Sequence, residues 1–294
     1  MVRLRWDWLG PVVTVPYVPT LGPVHPDALS QDLFDAVIDV SGTGRFLPYD
    51  KDRRWSHYKD ERVLVGEIIH EPHRTVIPTL SSRGRGVVKV HHYSATPPRR
   101  DAAAEWAQKW CATYGAASAR VIWFQGSAPR QPAAAASCTR LLLKTFGEDQ
   151  QQPAQGLVRD LRSCPEQVRA TFPAFAQRLA GDGFAFLCER FQAGDVGGPI
   201  LAAVADQRVV GAIGPMEIMP DSTGVARLLP QYFGVLPEYR GRGYGRALWR
   251  AAMHWGQHNG AAYQLLQTEV GGASEQLYLS EGLATLGFVY STPA

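Results

Sequence analysis

Phe233-Gly-Val-Leu-Pro-Glu-Tyr-Arg-Gly-Arg-Gly-Tyr-Gly-Arg-Ala-Leu248 is the most informative stretch of this 294-residue chain. It follows the apolar run from Leu228, which predicts a strand over 228–235. After Leu236 come Pro237 and three glycines at 241, 243 and 245. Apolar spacing from Tyr244 to Gln257 then predicts a helix. Glycines between a strand and a helix let the backbone approach a ligand closely. The first N–H groups of the helix lack intrahelical partners. A strand, a glycine-dense loop and a helix start together make a cradle for a phosphate or pyrophosphate.

Spacing narrows the ligand. A Rossmann Gly-x-Gly-x-x-Gly fails, because Arg246 stands three positions after Gly243, and no Gly-Lys-Ser/Thr follows to make a P-loop. Arg240-Gly-Arg-Gly-Tyr-Gly245 does satisfy Arg/Gln-x-x-Gly-x-Gly/Ala, and it resembles the acetyl-CoA signature of the GNAT (GCN5-related) N-acetyltransferases. The resemblance covers roughly residues 155–294. A second family motif, Asn-x-x-Ala-x-x-Leu-Tyr-x-x-x-Gly-Phe, is similar to Gly271–Leu283. That stretch keeps Leu277, Tyr278 and Gly282 but carries Gly271 for Asn, Ser274 for Ala and Leu283 for Phe.

The resemblance implies acetyl-CoA as co-substrate. Backbone N–H groups from Arg242 through Gly243, Tyr244 and Gly245 to Arg246 would hold its pyrophosphate, beside Gly241. The strand end at Phe233, Gly234 and Val235 would pair with the pantetheine arm, and Arg240 and Arg242 either meet phosphates or are solvated. Tyr278 would protonate the departing thiolate, with packing of its ring in a helix as the alternative. An amine with a pKa near 10.4 is neutral in about one molecule in 2,500 at pH 7, so direct attack needs a base. Glu217 and Glu269 lie where family members place such carboxylates, with Glu269 slightly favoured; either is equally a surface or ion-paired strand residue.

Elsewhere the second half predicts a short strand over 157–161, a helix over 165–179 and strands over 184–191, 200–205, 209–219 and 263–270. A helix over 274–279 and a strand over 288–290 end it. Alternating strands and helices give an α+β layered fold with a mixed sheet. Gly147–Gly156, rich in Gly, Pro and Gln, divides the chain into an N-terminal α+β domain, 1–150, and an acyltransferase domain, 151–294.

The first half is less explicit. Five prolines within the first 26 residues predict an extended arm. A helix follows over 27–40, then strands over 62–69, 75–80 and 87–93, a helix over 99–114, and strands over 119–124 and 139–146. The order from Val87 to Phe146 is similar to the last part of a GNAT domain. It leaves open a degenerate second copy in a tandem protein, or an unrelated domain shaping the acceptor pocket. Six of eight histidines precede residue 93, but Pro72 blocks a helical zinc motif in His70-Glu-Pro-His73. Strand alternation sends His91 and His92 to opposite faces, so no metal is expected.

Composition excludes other classes. Hydrophobic residues are 45% and the net charge is only +3, with 19 basic against 15 acidic residues before position 150. No concentrated basic field favours nucleic acid. Four scattered cysteines make neither a disulfide framework nor a metal spacing. No apolar run reaches the length of a membrane span, and no signal-peptide core is visible, so the expectation is a cytoplasmic protein. The skew of 25 Arg to 5 Lys and the alanine runs fit a GC-rich bacterial source. The expected function is transfer of acetyl from acetyl-CoA to a primary amine on a small molecule, by a monomer or homodimer. An aminoacyl or longer-acyl transferase and a non-catalytic CoA-binding sensor are the alternatives.

Overall fold

A computed structural model describes residues 3–127, 136–147 and 156–294. The boundary expected near residue 150, and most of the Gly/Pro/Ala-rich segments around it, lie outside the described residues. Contacts divide the chain into two units. The first comprises Met1–Lys144, Asp221–Gly224 and Leu265–Ala294; the second comprises Thr145–Pro220 and Val225–Gln264.

In the first unit the sheet is built around Arg74–Ser81 and Val87–Ser94, an antiparallel pair in which Ile77 faces His91. The helix Arg100–Tyr114 leads from Val87–Ser94 to Ser118–Gln125, which lies parallel to it with Val87 opposite Ser118. Gly115, at φ +65°, ends that helix in the left-handed conformation glycine adopts without strain. The last strand, Ala284–Pro293, is antiparallel to both Ser118–Gln125 and Ser137–Thr145, with Val289 opposite Phe124 and Thr139.

Period-two alternation gives this sheet two apolar faces. Val88, Val90, Val121 and Phe288 pack with Ala103, Ala107 and Trp110 of the helix. On the other side, Ile77, Tyr93, Phe124 and Val289 pack with Leu33, Phe34 and Val37 of the helix Gln31–Asp39. Ser30 caps that helix by accepting the Leu33 N–H at 3.3 Å. The N-terminal segment is not an extended arm. Trp6–Leu9 forms a helical turn running into Gly10–Val12, and Leu4, Leu9, Val12, Val15 and Val18 join the core. Burying these apolar side chains outweighs the extended bias of the neighbouring prolines.

The second unit contains a four-stranded antiparallel sheet, ordered Tyr232–Val235, Arg208–Gly214, Leu201–Ala205, Val158–Asp160. Residues 184–191 are not a strand. Phe184–Gln192 is a helix, with Phe184, Leu187 and Cys188 buried at helical spacing. The expected 165–179 helix splits into Glu166–Arg169 and Phe172–Arg178 at Ala170-Thr171, just before Pro173. Pro173 fits the first turn of a new helix, where a missing N–H costs little.

Two expected strands are also interrupted at prolines. The 209–219 run divides into Arg208–Gly214 and Ile218–Pro220 around Pro215, and the 228–235 run into Ala226–Leu228 and Tyr232–Val235 around Pro230. Proline has no N–H for a ladder. The second interruption changes partners. Leu228 pairs in parallel with Gln264, whereas Gly234 pairs antiparallel with Ala212. The chain therefore leaves one sheet and reaches the edge of another within four residues, immediately before the glycine-rich loop.

Candidate active site

The strand Tyr232–Val235 enters the loop through a short turn, Pro237–Tyr239. Gly241 and Gly243 have φ of +74° and +86°, and a Cβ on either would meet nothing within 4 Å. Glycine is used at these positions for backbone conformation and for an open surface, not for close packing. Gly243 is the N-cap of the 15-residue helix Tyr244–His258 and supplies no capping side chain. The first helical hydrogen bond runs from Ala247 N–H to the Gly243 carbonyl at 3.0 Å. The donors of Tyr244 and Gly245 precede that bond, at the positive end of the helix dipole. Gly245 lies against the strand, where a Cβ would touch Phe233 at 3.6 Å and Val235 at 3.8 Å.

Packing behind the loop is tighter. A Cβ on Gly211 would come within 2.9 Å of Leu248 Cδ1 and 3.2 Å of the Gly234 carbonyl. A Cβ on Gly234 would lie 2.8 Å from Leu179 and 2.9 Å from Phe184. Strand and helix approach this closely because both glycines lack side chains.

Polar contacts fix the approach to the loop. Arg178 grips Glu238 with both guanidinium nitrogens, the Nη2 contact being 2.9 Å, and this pairing holds the Glu238 carboxyl down at about 2. Tyr239 is buried; its hydroxyl donates to Asp206 at 3.0 Å and accepts from Arg208 Nε at 3.2 Å. Arg240 Nε donates to the Val235 carbonyl at 3.1 Å, and the Arg242 guanidinium stands 5.1 Å from the centre of the Tyr239 ring. The Glu238–Arg178 pair and the contacts of the Tyr239 hydroxyl join residues some 30 to 60 positions apart, so motif spacing gave no sign of them. At the strand interruption, Gln264 Nε2 donates to Gln231 Oε1 at 2.6 Å, an amide pair that was likewise missed.

Of the three expected catalytic residues, the second unit holds Glu217, half-buried, whose carbonyl accepts the Leu229 N–H at 2.9 Å. The first unit holds the other two. Glu269 is exposed at the end of Tyr263–Glu269. Tyr278 is buried in the helix Ala273–Ser280, and burial raises its phenol to about 12. Where the family motif has Asn, Gly271 instead donates its N–H to Glu275 at 2.7 Å, and Glu275 also accepts from Arg140 at 2.7 Å. Among the described residues no group of three or more His, Cys, Asp and Glu is placed to hold a metal.

Residues 155–280 match the family model described as acetyltransferase (GNAT) family. This segment belongs to that family. The GNAT segment contains the whole strand–loop–helix cradle, Glu217, Glu269 and Tyr278. No curated protein matches the sequence significantly. Similar solved structures include a GCN5-related N-acetyltransferase from Sphaerobacter thermophilus, at 12% identity and TM-score 0.48 over 88% of this chain and 93% of that one. Another is a GNAT-family acetyltransferase from Colwellia psychrerythraea, at 11% identity and TM-score 0.49 over 92% and 97% of the two chains. A tandem GNAT protein from the clavulanic acid biosynthesis pathway matches at 12% identity and TM-score 0.42, over 75% and 79%. Among the described residues no helix is long and apolar enough to cross a membrane.

Proposed function

We propose that this protein is an acetyl-CoA-dependent N-acetyltransferase acting on the primary amine of a small molecule. The observation that carries the reading is the cradle: two left-handed glycines and an uncapped 15-residue helix follow an edge strand inside the GNAT segment. Backbone donors from Arg242 to Arg246 bind the pyrophosphate, and Phe233–Val235 pairs with the pantetheine amides as an added strand would.

The chemistry is direct transfer. The neutral amine attacks the thioester carbonyl, the C–N bond forms, and the C–S bond of the tetrahedral intermediate breaks to release CoA thiolate. A carboxylate takes the proton lost by nitrogen. Glu217 and Glu269 are the two residues proposed for that role, and the variant, Gln at either position, that abolishes the rising limb of the pH–rate profile identifies the base. A phenol near 12 stays protonated throughout the neutral range, so Tyr278 serves as a hydrogen-bond donor to the departing sulfur rather than as a base.

Titration calorimetry with acetyl-CoA tests the reading. The wild type should bind about one equivalent. Gly243→Glu, which sets a carboxylate beside the cradle and forces φ of +86° on a side-chain-bearing residue, should not bind. Saturable binding then leads to a screen of amines for CoA release. Absence of binding by the wild type refutes the acetyltransferase reading, and binding without release to any amine favours a CoA sensor.

A further inference from the structure

We infer that Arg242, and not Arg240, reads the 3′-phosphate of CoA and makes the site select CoA over dephospho-CoA. This rests on the proposed use of CoA. It goes beyond the pyrophosphate cradle, which is built of backbone donors and contacts a group common to both molecules.

The two loop arginines differ in how they are held. Arg240 is turned back onto its own strand, its Nε on the Val235 carbonyl. That bond makes Arg240 a strap between strand and loop. Arg242 lies over the ring of Tyr239 at 5.1 Å, a cation–π contact that restrains the side chain while using none of its five N–H donors.

The nearby carboxylates are already engaged. Glu238 is held by both terminal nitrogens of Arg178, and Asp206 accepts the Tyr239 hydroxyl, which also receives Arg208. Asp206 and Gln207 turn the hairpin with φ of +48° and +57°, which fixes Asp206 beside Tyr239. Tyr239 is thereby locked by its hydroxyl and offers its face as a platform. Around the loop, the acidic residues Glu238 and Asp206 have cationic or phenolic partners, and Arg242 has no carboxylate partner among the described residues. A pre-placed guanidinium with unused donors suits a dianionic phosphate monoester, which it can take bidentately. The pyrophosphate, by contrast, meets the backbone amides.

Binding of CoA and dephospho-CoA to the full chain, measured by calorimetry, tests this. The wild type should prefer CoA by about tenfold or more, the scale of a charge-assisted hydrogen bond. Arg242→Gln should lower CoA affinity to that of dephospho-CoA and leave dephospho-CoA affinity unchanged. Arg240→Gln should weaken both ligands alike and preserve their ratio. Tyr239→Leu, which removes the platform, should also erode the preference, and circular dichroism reports whether it folds. Equal weakening of both ligands by Arg242→Gln would overturn the inference, since it would place Arg242 on the pyrophosphate. A wild type that binds the two ligands equally would also overturn it while leaving the CoA reading intact. Failure of the wild type to bind either ligand would instead refute the proposed function on which the inference rests.

Discussion

Acidification should weaken the first unit between pH 7 and pH 5 through two adjacent histidines. His91 and His92 stand on opposite faces of Val87–Ser94 and are 1% and 6% exposed. Burial lowers both from 6.5 to about 4. Glu61 favours charge on His91, but less than burial opposes it; Lys89 opposes it further, and Arg74 disfavours charge on His92. The Nδ1 of His91 lies 3.1 Å from the Ile77 carbonyl, whereas the Nδ1 of His92 is buried with no hydrogen-bond partner among the described residues. The folded chain therefore keeps both rings neutral at a pH where the unfolded chain protonates them. Their stability contribution is complete above pH 6.5, falls as the pH drops towards 4, and levels off below. At pH 5 the solution is about 1.5 units below the unfolded value and about 1 unit above the folded one, so each ring costs about 2 kcal/mol relative to pH 7.5. The sum is about 4 kcal/mol, a large part of a domain's net stability. Unperturbed carboxylates titrate below this window, and His70, also lowered by burial, shifts stability in the same direction. Urea denaturation followed by circular dichroism at pH 7.5, 6 and 5 reads the effect. His92→Leu should about halve the loss, and removing a buried ring nitrogen without a partner should not weaken the protein at pH 7.5. A wild-type midpoint that does not move between pH 7.5 and 5, or a His92→Leu variant that loses as much as the wild type, would refute the reasoning.

Gly211→Ala should destabilise the second unit by about 1–3 kcal/mol, because the new methyl would come within 2.9 Å of Leu248 and 3.2 Å of the Gly234 carbonyl. A lower thermal midpoint checks it, and the looser strand–helix contact should weaken acetyl-CoA binding in the same variant. Tyr278→Phe should lower kcat about a hundredfold while leaving the acetyl-CoA Kd within twofold, as expected for a donor needed only when sulfur departs. Steady-state rates beside calorimetry distinguish that outcome from a packing defect, which would move both.

The strand–loop–helix geometry was legible because it is local. Strand, glycines and helix start are contiguous from Phe233 to Leu248, and the left-handed φ values at Gly241 and Gly243 are what glycine at those positions implies. The supports of the loop were not legible, because their partners come from distant helices and hairpins. Arg178, Arg208 and Asp206 carry no motif, and only the folded chain brings them to Glu238 and Tyr239. Strand readings failed where burial is high. Phe184-Ala-Phe-Leu-Cys188 is apolar enough to suit a buried strand or a helix, and length and tertiary packing decide between them. Continuous runs at 209–219 and 228–235 concealed Pro215 and Pro230, although proline's missing N–H was visible in the sequence and would have divided both.

That second proline ties the fold to the proposed function. Ahead of Pro230 the chain pairs in parallel with Tyr263 and Gln264; after Gln231 it pairs only with Arg208–Gly214, at the edge of its sheet. A continuous strand from Ala226 to Val235 could keep one set of partners throughout, and its far edge would offer no ladder positions to a ligand. Breaking the ladder at a residue that cannot donate moves Tyr232–Val235 to an edge, and the Gln231–Gln264 amide pair fixes the point of departure. An edge strand that runs directly into an uncapped helix start presents, in sequence, peptide groups for the amides of an extended arm and then donors for its phosphates. The order of these surfaces along the chain is the order that the proposed acyl-CoA ligand would require, from the pantetheine arm to the pyrophosphate.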